Sequence, residues 1–429
     1  MRNAALVSLA ALLVYAASPI QTNFDSKWVF PTALSIVRDG DVFLDEFEEV
    51  AETTPHGIHR EDGRPISYFP ISVAFFAVPV VAAGELVSTL ASATGIETVS
   101  RKWRANTGLE GSLNLDFFDL PGRLLASLIC AAAVFLLALF LQQQVGGAAA
   151  WIALVLVAAA SPVWSMASRA MWQHGPAMLA VAGALFLVGR ADPTRWQLFG
   201  AGILAGAAYT IRPTESLVVM ALGLFVAWQF RTRGIAFAAG LGVLGLLWAG
   251  ANFAVIGRPL PAYFEAGRLH FGGTFPEALA GNLVSPARGL LIYCPFVLLA
   301  LFAPLAEAPA YVRRLALALS CAALALLVAV SAFPHWWAGH SFGPRFLTEA
   351  VPLLALPVAL GLKFLLQSRW RRAAIPVIVF LSAVGLFIHA RGATSTAVHD
   401  WNSYPVDVDK APARIWDWRD PPFLRGIGR

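Results

Sequence analysis

Apolar runs of about membrane-crossing length recur along the chain from Leu6 to Ile388, with polar stretches between them. A hydrocarbon core about 30 Å thick needs roughly 20 apolar residues per helix. The runs therefore predict helices over 4–19, 68–90, 121–141, 148–165, 176–189, 197–211, 215–230, 235–256, 289–306, 313–332, 345–366 and 373–390. The expected fold is an all-α polytopic membrane protein.

The intervening loops fall into two alternating sets. "GRADPTRW" (189–196), "RTRG" (231–234), "YVRR" (311–314) and "SRWRR" (368–372) are short and basic, as cytoplasmic loops are. Between them lie "SRAMWQHGP" (168–176), "IRPT" (211–214), the long 257–288 loop and "FPHWWAGHSFGPR" (333–345). With the amino terminus inside and every run crossing, the basic loops would all fall outside. One run must then not cross, and 68–90 is the weakest, broken by Pro70, Pro79, Gly84 and Glu85 within a polar stretch from 21 to 118. The pattern predicts a juxtamembrane or re-entrant helix there. About 11 transmembrane helices remain, forming one membrane domain over 1–390, with 21–118 as a long first outer loop and 391–429 as a short outer-face tail. The two runs flanking Arg212 are short, and Pro213 should end the first of them. Gly202 and Gly206, and "GLGVLG" at 240–245, put small residues one turn apart and permit close helix packing.

Composition sharpens this picture. Hydrophobic residues make up 58% and charged residues 13%, with mean hydropathy +0.66, against roughly 25% charge in soluble domains. A soluble enzyme is excluded. The net charge of +5 does not point to nucleic acid, because the arginines sit at the ends of apolar runs, where membrane orientation accounts for them. Cys130, Cys294 and Cys321 lie in or beside apolar stretches, as packing residues rather than a disulfide framework. The first run resembles a signal peptide, but Pro19 after the small-residue site disfavours cleavage, so a retained first span is expected.

The unusual chemistry lies in the outer loops. Asp25 follows the first run by only a few residues, and a carboxylate costs roughly 2.5–3.5 kcal/mol at mid-membrane and less near the interface. It is either a cap or partner for Lys27, or a general base in a partly dry site. His56, His59, Glu61 and Asp62 in "HGIHRED" are donor types that suit a divalent metal, but their spacing matches no closed zinc pattern, and a mobile polar loop is expected. Arg169 and His174 bracket Trp172; Arg169 would snorkel to headgroups, whereas His174 would carry a proton or donate a hydrogen bond. Arg212, Arg288 and Arg345 add cations on the same side, suited to phosphate, although lipid headgroups would satisfy each of them singly. His335 and His340 flank Trp336 and Trp337, a pair able either to stack on a sugar or to sit in an interfacial aromatic belt.

Taken together, these features resemble the GT-C integral-membrane glycosyltransferases, in particular the branch of protein O-mannosyltransferases and aminoarabinose transferases. The likeness rests on Asp25 opening a long outer loop, a juxtamembrane helix at "YFPISVAFFAVPV" beginning with Tyr68, and the segments "SRAMWQHGP", "SPARGLLIYCP" and "WWAGHSFGPRFL". It implies a GT-C-like bundle in the cytoplasmic membrane with its active site on the outer face. The activity implied is inverting transfer of a sugar from a polyprenyl-phosphate donor to a hydroxyl on a glycan, lipid or protein acceptor. Asp25 would be the base, and Arg212, Arg345 and Arg288 would hold the phosphate. Lys27, Tyr68, Arg169, His174, His335, Trp336, Trp337 and His340 are further site candidates. The chain departs from the pattern in the second outer loop, which has no acidic residue, so no cofactor is implied firmly and a divalent metal stays open. The 39 residues of the tail are too few for a core of their own. A transporter or flippase of lipid-linked saccharides is the alternative; such proteins show internal repeats and midplane ionisable groups, and neither is evident. A structural or assembly subunit would not need the buried charges.

Overall fold

The computed structural model describes residues 1–427 apart from Asn23, Ala266 and Arg268. Helices carry nearly all the regular structure. In chain order they are α1 (Arg2–Ala17), α2 (Val29–Arg38), α3 (Glu48–Thr53), α4 (Ala74–Ala93), α5 (Glu97–Asn106), α6 (Asp119–Gln144), α7 (Gly147–Ala159), α8 (His174–Val188) and α9 (Arg195–Ile211). They continue as α10 (Ser216–Phe230), α11 (Ile235–Ile256), α12 (Phe275–Val284), α13 (Leu290–Tyr293), α14 (Ala310–Ser331), α15 (Ala350–Gln367), α16 (Arg371–Thr394) and α17 (Thr396–Asp400). One antiparallel hairpin, β1 (Ile58–Glu61) with β2 (Arg64–Ser67), places Ile58 opposite Ser67.

Among the described residues, six helical stretches are long and apolar enough to cross a membrane: Ile71–Ala93, Leu115–Gln144, Pro213–Ile256, Ala310–Ser331, Ala350–Gln367 and Arg371–Thr394. Arg2–Ala17, Gly147–Ala159 and His174–Val188 are apolar but shorter. Much of the bundle is held by contacts that only glycine allows. A Cβ on Gly202 would lie 2.0 Å from the Phe237 carbonyl, and one on Gly240 would lie 2.1 Å from the Phe199 carbonyl, so α9 and α11 meet backbone to backbone. The expected small-residue seam is therefore present at Gly202 and Gly240, whereas Gly242 and Gly245 face open space.

Residues 21–118 leave and rejoin the bundle at the same end. Arg123 Nη1 donates to the Pro19 carbonyl at 2.8 Å, which ties the start of α6 to the end of α1. Within this segment α4 packs against α2 and α5 of the same loop. Its lone acid, Glu85, accepts from Arg38 Nε at 2.7 Å, and Arg38 Nη1 also donates to the Thr107 carbonyl at 2.7 Å. The helix expected to be juxtamembrane or re-entrant is thus long enough to cross, but its main partners are the helices of the first loop, α2 and α5.

Three runs differ from their expected extents. The 148–165 run stops at Ala159 because Ser161 Oγ turns back onto the Val157 carbonyl and Pro162 lacks an N–H; a π-turn over Val163–Ala167 follows. The 289–306 run is not one helix: Pro295 breaks it into α13 and a 3-10 segment, Pro295–Phe302. Helix 345–366 begins only at Ala350, leaving Arg345 in the loop before it. The tail, too short for a core of its own, borrows one. It shares a second core in which Trp401, Val408 and Ile415 pack with Trp336, Trp337, Ala278 and Ala287.

Candidate functional site

Six segments send side chains into one cleft, open at its mouth, at the end of the bundle where α1 and α9 finish and α8 and α15 begin. Asp25 comes from a single 3-10 turn, Phe24–Ser26, just beyond α1. Phe69 comes from the link between β2 and α4, and Tyr263 from the 257–274 segment. Trp172, Gln173 and His174 come from the turn that starts α8. Arg212 ends α9 in an extended conformation, as a residue before proline must. Arg345 follows Gly343, whose φ of +64° and contact with the Tyr293 ring, 2.5 Å from where a Cβ would be, exclude a larger residue.

At the front of the cleft, Asp25 Oδ2 accepts from Arg345 Nη2, and Asp25 Oδ1 lies 3.0 Å from His56 Nε2. Burial alone would push the Asp25 carboxyl up, but the Arg345 charge and the His56 bond outweigh it and hold the group well below the usual carboxylate range. The same bond raises the His56 imidazole above its ordinary value, against partial desolvation. Arg345 stacks 3.8 Å above the Trp172 ring, and its buried Nε–H has no hydrogen-bond partner. Arg345 lines the cleft, and among the described residues one of its guanidinium donors is unused.

Behind this pair lies a second one. Arg212 Nη1 reaches both oxygens of Glu349, at 2.5 and 2.6 Å, and His174 Nδ1 is 2.7 Å from Glu349 Oε1. Arg212 was expected to meet only an external phosphate, but within the protein it already meets Glu349. Tyr263 and Phe69 close one wall with ring centroids 5.6 Å apart, and Tyr68 stands edge-on to Tyr263 at 5.5 Å.

The remaining candidates divide by location. Arg288 is 1% exposed and spends its donors on the Trp337, Ala287 and Gly339 carbonyls and Asn402 Oδ1, so it braces the tail and does not line the cleft. Arg169 does not snorkel: it is fully buried and donates to the Tyr15 and Ser18 carbonyls and Ser168 Oγ. Lys27 pairs with Asp116 at 3.6 Å and lines a neighbouring cavity with Ser26 and Asp119. Trp336 and Trp337 are buried in the second core, where the Trp337 N–H donates to Asp409 Oδ1 at 2.7 Å, so neither presents a free face to a sugar. His335 is exposed and lies against Trp337, with ring centroids 4.9 Å apart. His340 Nε2 is 3.0 Å from Asp407 Oδ2 and 3.9 Å from Asp409 Oδ2, the one group of three metal-type donors among the described residues. In "HGIHRED" the expected mobile loop is an ordered hairpin whose donors are engaged elsewhere: His56 with Asp25, and Glu61 with His59 and, at 2.5 Å, with Arg258.

Sequence reasoning missed Glu349 and dismissed His56. Glu349 had a signal, as a lone acid opening an apolar run, where a charge is costly unless paired. His56 had none, since its partner lies 31 positions away across an irregular loop. Comparisons with protein-family models, curated proteins and solved structures gave no match.

Proposed function

We propose that this chain is a GT-C-type glycosyltransferase that moves a sugar from a polyprenyl-phosphate donor to a hydroxyl acceptor, with inversion, at the outer end of the bundle. The observation that carries this reading is the pairing, inside one cleft, of the Asp25 carboxylate with an arginine that keeps an unused N–H. In the reaction the acceptor oxygen forms a bond to the anomeric carbon as the bond from that carbon to the phosphate oxygen breaks. The acceptor proton passes to Asp25, and the bond pair leaves with polyprenyl phosphate. A carboxylate clamped by Arg345 and His56 is a weak base. When Arg345 turns toward the donor phosphate, it releases Asp25 at the moment a base is needed, so donor arrival and base activation are one event. Arg212 supplies a second positive charge nearby, and Phe69 and Tyr263 provide an apolar wall. The clustering of ionisable groups at one end of the bundle, away from a midplane site, favours transfer over transport.

The test is a lipid extract from a deletion strain, analysed by mass spectrometry. Accumulation of a polyprenyl-phosphate sugar, together with a glycan lacking one residue, is expected. An unchanged lipid and glycan profile would remove the support for transfer.

A further inference from the structure

Glu215 is the most anomalous side chain in the bundle. It is fully buried at the start of α10, and among the described residues neither of its carboxyl oxygens has a hydrogen-bond partner. Next to it, Thr214 Oγ1 is also buried and unpartnered. Glu215 borders a small, almost wholly apolar cavity whose other wall includes Glu349, the carboxylate already joined to Arg212 and His174. The rest of the lining, from α6, α7, α8 and α15, is apolar, with Leu137, Val157, Met178 and Leu353 among it. The charged and titratable groups facing Glu215 are thus Glu349 and Arg212, with His174 and Arg345 beyond them toward the cleft.

An ionised carboxylate with no donor, in such surroundings, is far too costly to persist, and the group neutralises instead. Charge counting agrees. With both glutamates ionised, two negative charges would face one Arg212, and a net negative charge would stand directly behind the cleft.

We propose that Glu215 and Glu349 hold a single proton between them, and that this proton keeps the cleft receptive to a phosphate-ester anion. Glu215 is then a positioning residue: it touches no substrate, but its neutrality leaves Arg212 matched by one carboxylate rather than overmatched by two. The second half of this proposal rests on the donor-phosphate reading above; the shared proton does not.

Infrared spectroscopy of the purified full-length protein at neutral pH tests the proton directly. The wild type is expected to show a protonated-carboxylic-acid carbonyl band that shifts in D2O and is lost in Glu215→Gln or, should that variant fail to fold, in Glu215→Met. Absence of the band from the wild type, or its persistence in the variant, would overturn the proposal. Farnesyl phosphate binding measured against pH tests the consequence. Wild-type affinity is expected to fall by roughly tenfold or more once the pair loses its proton, because the added negative charge behind Arg212 repels the phosphate. Glu215→Gln should lack that alkaline loss, and an identical loss in both proteins would overturn the link between proton and cleft. A band that behaves as expected, in a protein that binds no farnesyl phosphate at any pH, would sink the donor reading and leave the proton pair standing.

Discussion

Four arginines stand at the same end of this bundle, and they fall into two kinds. Arg288 and Arg169 are buried, and most of their donors point at backbone carbonyls, so each closes a join: the 285–289 segment to the 333–345 loop, with the tail held through Asn402 Oδ1, and the α8 turn to the end of α1. Arg345 and Arg212 meet carboxylates at the edge of a cleft, and Arg345 keeps an unpartnered N–H. Residue type and loop position are the same in both kinds. What separates them is whether carbonyls with unused lone pairs lie within reach, because a guanidinium surrounded by such acceptors is consumed by them. A side chain that brings its charge to an ion pair can exchange that partner for another anion, whereas one that holds backbone carbonyls cannot do so without opening the fold.

The comparison breaks most visibly at its centre, Asp25. Asp25→Asn keeps the shape and removes the base, so transfer by the reconstituted protein should fall by roughly 10² to 10⁴. The melting temperature in detergent should stay within a few degrees of the parent. Turnover within a few-fold of wild type would make Asp25 a structural partner of Arg345 and nothing more.

Next in size is Arg288→Met, which keeps the volume but strips donors from the Trp337, Ala287 and Gly339 carbonyls. At about 1–3 kcal/mol for each carbonyl left unsatisfied, stability should drop by about 3 kcal/mol or more. A thermal melt and limited proteolysis of the tail would read it. Arg345→Lys should do the reverse, leaving the melt nearly unchanged and weakening donor-phosphate affinity by about 1–3 kcal/mol, because a point charge cannot replace a planar fork stacked on Trp172. If both variants lost only stability, the two kinds of arginine would be one. Arg212→Lys should fall between them, with a smaller loss of affinity than Arg345→Lys, since Glu349 already meets its charge.

The smallest effect is in the pH profile. His56 is raised in the folded protein, so its bond to Asp25 contributes fully below its unfolded value of about 6.5 and fades as pH climbs through the raised folded value. Asp25 is lowered, so its contribution is present above its unfolded value near 4 and is lost only as pH falls through the lowered folded one. As pH climbs through the raised His56 value, the imidazole gives up its charge and Asp25 becomes a better base. With donor at saturation, transfer should therefore rise modestly over that range before levelling, and His56→Gln should show no such rise. A rise of the same size in that variant would assign the titration to another group.

Hydropathy alone delimited most helices to within a few residues, as at α11 and α14, because a lipid-facing backbone must satisfy its own hydrogen bonds and a run of apolar residues has few other ways to do so. Local rules also placed the break after Arg212, where Pro213 removes a donor, and the reciprocal glycine contact of α9 with α11 was foreshadowed by spacing. Asp25, Arg212, Arg345 and His174 were likewise legible as charges set too close to hydrocarbon to be accidental. Partner choice was not legible. That Asp25 is shared between Arg345 and His56, that Arg212 answers to Glu349, that Glu215 faces an apolar cavity, and that Trp336 and Trp337 are covered by a tail more than 60 positions away all depend on contacts between segments far apart in the chain. A periodic pattern reports the solvent each helix needs, since that requirement is local to the helix. Which charge neutralises which depends on distances of a few ångströms between different helix ends, and only the packing of the bundle sets those.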